Sequence, residues 1–173
     1  MADMLSLDLV DKGVVTNQIV LTVGYDKESL ADGHYTGEVV CDHYGRKIPK
    51  HAHGTQNLGR HTSSTRKIID ATMALFDRII DKTLLARRLN LTACNVIREE
   101  DIPEVESYEQ ISLFDMAEAA NADNNAEEKE RALQEAMILI KHKYGKNAIL
   151  KGTNYTEGAT ARERNRSIGG HKA

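Results

Sequence analysis

The sequence predicts an α+β fold over residues 1–100: one antiparallel or mixed sheet with two helices on one of its faces. An acidic linker over 101–126, a helix within 127–150 and a flexible basic tail over 151–173 follow. Three observations carry this expectation. Segments 17–25 and 85–97 alternate apolar and polar residues with the period of two that a half-buried strand requires. Residues 65–81 repeat apolar side chains at helical spacing. After residue 98 the chain turns acidic and rich in Ala and Asn, with few side chains left to bury.

Each element has its own signature. Met4, Leu5, Leu7, Leu9 and Val10 read as the closing turns of a helix that stops near Gly13, because glycine tolerates the left-handed backbone of a helix end. Ile19, Leu21, Val23 and Tyr25 share one face of the first strand. Residues 26–45 are polar, with Glu38-Val39-Val40 as a short strand. Residues 46–61 are extended and basic, and Pro49 suits an edge strand because it cannot donate to a ladder. Ser63, Ser64 and Thr65 are candidate caps for the helix that buries Ile68, Ile69, Thr72, Leu75, Phe76, Ile79 and Ile80. In the last strand Leu89, Leu91 and Ala93 point inward, so Arg88, Asn90 and Thr92 share the outer face. In the late helix, Leu133, Met137, Ile140 and Tyr144 fall on one side.

Composition narrows the function classes. Hydrophobic residues make up 40% but aromatics only 5%, with no Trp, so the core is aliphatic. No apolar run approaches the ~20 residues of a membrane-spanning helix, and Met1-Ala2-Asp3-Met4 lacks the layout of a secretory signal. Two cysteines, Cys41 and Cys94, cannot build a disulfide framework, which points to a reducing cytoplasm. The net charge of -3 conceals blocks: -5 over 1–40, +7 over 41–98, -11 over 99–130 and +6 over 131–173. Two basic blocks around an acidic one exclude a uniformly acidic solubiliser and point to a polyanion met by parts of the chain.

The basic block holds the candidate phosphate ligands Arg46, Lys47, Lys50, Arg60, Arg66, Arg87 and Arg88. Gly59-Arg60-His61-Thr62-Ser63-Ser64-Thr65 runs into a helix start, where the Thr62 and Ser63 hydroxyls, backbone amides and Arg66 suit a phosphate. Phosphate contacts carry no base sequence, so the implied binding is sequence-independent and strongly salt-dependent. The bland alternative is a solvated cationic face. Gln110-Ile111-Ser112-Leu113-Phe114 places an apolar pair after a glutamine inside the acidic segment. It reads either as a docking peptide or as a pair capping the domain core. Cys41-x-His43 and His51-x-His53, with His61 nearby, have the residue types of a zinc site. The spacing is unusual for structural zinc and the surrounding cations oppose it, so no metal is assigned. No phosphate loop, nucleophile elbow or His-Glu-x-x-His motif occurs, and no catalytic residue is assigned.

Together these residues resemble a known family. Leu7-Asp8-Leu9-Val10-Asp11-Lys12, the strand Asn17 to Asp26, Gly59 to Ser64 and Leu85 to Leu91 look like the C-terminal region of UmuC-like Y-family DNA polymerases. So does the tail from Tyr144 to Gly152, through Arg164-Asn165 and Ile168 to Ala173. The pentapeptide 110–114 closely matches the sliding-clamp-binding peptide of bacterial replication and repair proteins, departing conservatively at Ile111.

The resemblance implies a little-finger domain of β-α-β-β-α-β order laid against DNA, error-prone translesion synthesis in the SOS response, and a clamp partner beside other SOS polymerase subunits. It also implies that the first strand lacks a counterpart here. The palm carboxylates that hold two Mg²⁺ lack one too, so Met1 is expected to begin a fragment without cofactor. The rival reading is a stand-alone regulatory protein that occupies the clamp without DNA affinity.

Overall fold

The computed structural model describes residues 1–31, 33–102, 115–168 and 171–172, with 115–125, 167–168 and 171–172 described by backbone alone. The chain divides into two units, Ala2–Pro103 and Glu104–Ala173. The first unit holds α1 (Ala2–Asp11), β1 (Val14–Tyr25), β2 (Val39–Cys41), β3 (Lys47–Pro49), β4 (Ala52–Thr62), α2 (Thr65–Ile79), β5 (Ala86–Cys94) and β6 (Ile97–Arg98). It is an α+β arrangement in which every strand pair is antiparallel, compatible with a little-finger-like domain.

The main sheet has the order β4-β1-β5, with β6 pairing the first residues of β1. The alternation in β1 works as expected: Ile19, Leu21, Val23 and Tyr25 are buried. Val23 sits opposite Ala52 and Leu89, and Leu21 opposite Gly54 and Leu91, so these positions share the helix-covered face. Leu75 of α2 joins Leu21, Val23 and Tyr25 in one apolar cluster; Ile68 of α2 joins Ala2 and Leu9 of α1 in another. Leu91 packs against both, so the two helices cover the same face. Ser6 and Thr65 tie the helices together through a 2.8 Å hydroxyl contact.

Helix boundaries follow local chemistry. Gly13, at φ +63°, ends α1 where a side chain would be strained. Of the three candidate caps Ser64 is used: its side chain accepts from the backbone N–H of Lys67. Helix α2 stops at Ile79 rather than 81, because Ile80 turns extended and the Asp81 N–H donates to the Tyr25 hydroxyl at 2.8 Å.

Three expectations need correcting in this unit. The extended stretch 46–61 is two strands, with β3 belonging to a separate β2–β3 ribbon and only β4 to the main sheet. Residues 85–97 likewise divide into β5 and β6, with Asn95 at φ 51° between them. Leu89 has the inward parity but is 40% exposed. It lies on an outer strand, and the helices cover the sheet around Leu91 and Ala93 instead.

The second unit holds α3 (Asp115–Tyr144), α4 (Ala161–Arg164), β7 (Ser167–Ile168) and β8 (His171–Lys172). Helix α3 begins at Asp115, inside the segment read as linker. Alanine-rich sequence has high helix propensity even where it offers little to bury, and seven of its first twelve residues are Ala or Glu or Met. Among its described side chains Gln134 and Met137 are buried and Ile140 half-buried, whereas Leu133 and Tyr144 are exposed, so the expected apolar side holds in its middle and not at its ends. Gly145, at φ +93°, ends the helix. The tail read as flexible carries a 3-10 turn over Gly152–Tyr155, α4 and the β7–β8 pair; Asn165 bonds back to Asn147 at 2.8 Å.

Candidate nucleic-acid interface

The sheet face away from the helices is polar. Register places Gln18, Thr22 and Gly24 of β1 on it, flanked by His53, Thr55 and Asn57 of β4 and by Arg88, Asn90 and Thr92 of β5. Thr22 and His53 share a 2.9 Å hydrogen bond across the strands. The outward grouping of Arg88, Asn90 and Thr92 is therefore as the alternation predicts.

At one end of this face the ladder is interrupted. Gly24 pairs with Arg88 and Tyr25 with Ala86, so Arg87 is an extra, bulged residue. Regular alternation would send Arg87 and Arg88 to opposite faces; the bulge lets both line one cavity of about 700 Å³. Gly24 faces Arg88 without a side chain of its own, at 3.6 Å from where its Cβ would stand to that of Arg88. The β2–β3 ribbon and its turn contribute Tyr44 and Arg46 to the lining, and Lys27 adds a further cation.

Two carboxylates organise these cations. Asp26 caps the 3-10 turn Lys27–Leu30 by accepting from the Glu28 N–H, and accepts from Arg87 at 2.9 Å. That N–H first, and then Arg87, hold its carboxyl below the usual range. Asp42 accepts from the Tyr44 and Arg46 backbone N–H groups at 2.9 Å and from the Arg46 guanidinium at 2.7 and 2.6 Å. The Arg46 side-chain bond is the main cause of its lowered pKa, and Arg46 is raised in turn. Gly45, at φ +73°, lets the turn close around that carboxylate.

The predicted phosphate ligands therefore separate into groups. Arg46, Arg87 and Arg88 come together around the cavity. Lys47 stands exposed on β3, and Lys50 pairs with Glu38 at 2.6 Å. Arg60 lies where the β1–β4 register shifts, next to Gly59 at φ +79°. Thr62, Ser63 and Arg66 cluster at the start of α2, where the Thr62 hydroxyl accepts from the Ser64 N–H and Ser63 is buried. Among the described residues, the side chains of Arg88 and Lys47 have no hydrogen-bonding or ionic partner. Gln110, Ile111, Ser112, Leu113 and Phe114 lie outside the described residues.

His51 and His53 meet edge to face, His53 being engaged by Thr22, and among the described residues no three His, Cys, Asp or Glu side chains are grouped as a metal site. The sequence reading missed Lys27, His43 and Tyr44 as partners of the arginines. Its one available signal was Gly24 inside a strand pattern, which often marks a bulge or a close approach.

Fold and site define an α+β domain whose main sheet carries helices on one face, with a cationic cleft where the β2–β3 ribbon meets the sheet end. The chain belongs to the impB/mucB/samB family: residues 1–113 match the model of its C-terminal domain, the C-terminal region of UmuC-like Y-family polymerases. It is 31% identical over 160 residues to the Bacillus subtilis (strain 168) protein named "Putative UV-damage repair protein UvrX", covering 92% of this chain and 30% of that one. It is 28% identical over 125 residues to DNA polymerase IV 2 of Halalkalibacterium halodurans (strain ATCC BAA-125 / DSM 18197 / FERM 7344 / JCM 9153 / C-125), covering 72% and 26%. The chain thus spans under a third of the length of these relatives. No solved structure matches it.

Proposed function

We propose that this chain is the DNA-binding and clamp-tethering portion of an error-prone translesion DNA polymerase. In this reading it acts in the cytoplasm during the SOS response and has no nucleotidyl-transfer chemistry of its own. The observation that carries the reading is the open sheet face ending in Arg88, a guanidinium without an intramolecular partner, inside a family of DNA polymerases. Arg46, Lys47, Arg87 and Arg88 contact phosphates from the sheet end and ribbon. Arg60, Thr62, Ser63, Arg66 and Lys50 extend the footprint. Gln110, Ile111, Ser112, Leu113 and Phe114 dock the sliding clamp, which raises effective concentration at a primer terminus.

Mg²⁺ belongs to a palm portion in this reading. Two-metal transfer requires clustered carboxylates, and the described residues of this chain offer no such group, so no step is assigned through a metal. In this reading the first strand of the little-finger order would pair at an outer strand of the sheet. Exposed Leu85 and Leu89 favour β5 as the position it fills, from another segment or a second chain.

Fluorescence anisotropy with a labelled DNA duplex tests the reading. Binding is expected, with affinity falling steeply as salt rises. Reversal of both Arg87 and Arg88 to Glu should weaken it at least about tenfold at low salt. Unchanged affinity in that variant would remove the DNA assignment and leave the clamp-occupying regulator.

A further inference from the structure

The cavity at the end of the sheet has a composition that backbone contacts alone do not account for. Beside its cations it carries Tyr44, a residue 78% exposed. The Arg46 guanidinium lies 5.0 Å from that ring's centroid and the His43 ring packs edge-on at 5.4 Å and 75°. An exposed tyrosine on a tight turn gains nothing from the core, yet this turn is held in place by four hydrogen bonds to the Asp42 carboxylate and a glycine at positive φ. The turn thus presents an aromatic plate to the cavity that Arg88 also lines.

Cations and an aromatic plate around a cavity of about 700 Å³ match the chemistry of an unstacked nucleotide. A base has a π-face that stacks on an aromatic ring whatever its identity, and its phosphate seeks guanidinium groups. Clefts of roughly 300–1,000 Å³ suit ligands of that size. A duplex offers this site phosphates only, because its bases are stacked on one another. Lys27, Arg46, Arg87 and Arg88 face Asp42 and, through Arg87, Asp26, so the cleft keeps an excess of positive charge.

We infer that the cleft between the β2–β3 ribbon and the bulged end of β5 holds one nucleotide of single-stranded DNA, its base on Tyr44 and its phosphate on Arg88. This deepens the DNA-binding reading and rests on it.

Anisotropy of the full chain tests it with three labelled probes: a single-stranded thymidine oligonucleotide, a strand of the same length without bases, and a blunt duplex. Tyr44→Ala should weaken the oligonucleotide about tenfold, leave the baseless strand and the duplex unchanged, and be rescued by Tyr44→Phe. Arg88→Ala should weaken all three. Tyr44 is a surface side chain, so unaltered circular dichroism is expected and serves as the folding check. Equal binding of the oligonucleotide by Tyr44→Ala and the parent chain overturns the inference. So does equal affinity for the oligonucleotide and the baseless strand. Free thymidine monophosphate displacing the oligonucleotide at similar concentration would overturn the strand as occupant. If the duplex still binds in those cases, the broader DNA reading survives; if no probe binds at all, both fall.

Discussion

Gly54 of β4 lies directly under Leu75 of α2. A Cβ added at Gly54 would come within 2.8 Å of the Leu75 Cδ1 atom, and equally close to Ile79 Cγ2. The helix approaches the sheet at the one position on that face of β4 that has no side chain. Alanine at 54 would therefore have to push back a fully buried leucine. Overpacking of this kind costs about 1–3 kcal/mol, so Gly54→Ala is expected to lower the unfolding free energy by that amount, read as a lower urea midpoint at unchanged m. An unchanged midpoint would mean that α2 is free to slide.

Ser64 is the second lever on α2. Its side chain accepts from the Lys67 N–H and satisfies an amide that has no partner within the helix. Ser64→Ala is expected to cost about 1 kcal/mol, and Ser64→Asp to retain most of the cap. Equal stability of the alanine variant in chemical denaturation would contradict the cap assignment.

The ribbon turn should respond to acid. Arg46 is the first cause of the lowered Asp42 pKa, so the folded value lies below the ordinary 3.8. The turn's stabilisation is then present in full above 3.8 and is lost as pH falls below it through the depressed value. The Tyr44 amide resonance should titrate with a midpoint under 3.8, and Asp42→Asn should abolish that titration. A midpoint at or above 3.8 would show that the carboxylate is not held as described.

Single phosphate contacts have a signature in salt. Arg88→Ala should reduce the slope of log affinity against log salt by about 1 on duplex DNA, with sequence preference unaltered. A slope identical to that of the parent chain would take Arg88 out of the interface.

The clamp peptide is separable from the sheet. Leu113→Ala with Phe114→Ala is expected to abolish binding to a purified sliding clamp in surface plasmon resonance while duplex DNA affinity stays the same. Clamp affinity surviving the double change would exclude residues 110–114 as the docking element.

Much of this fold is legible in the residue pattern, because burial on one face leaves a period in the sequence. Ile19, Leu21, Val23 and Tyr25 are all buried, as their alternation says, and Ile68 and Leu75 are buried at helical spacing. The errors fall where that link between pattern and burial is broken. Leu89 keeps the period but sits on an outer strand beyond the helices, so its parity overstates its burial. Helix α3 extends into residues with little to bury, where alanine propensity rather than amphipathicity governs the backbone.

The candidate site divides in the same way. By itself the sequence determined the supply of charge, the α+β class, the family and the shared face of Arg88, Asn90 and Thr92, since all of these depend on residue type and local spacing. Which cations come together was decided only by the tertiary structure. A one-residue bulge turns Arg87 and Arg88 toward one cleft, and the ribbon brings Arg46 and Tyr44 from some forty residues away. Neither event leaves a periodic trace in the chain, because a bulge is settled by how two strands come into register and a cleft by how a ribbon folds against them.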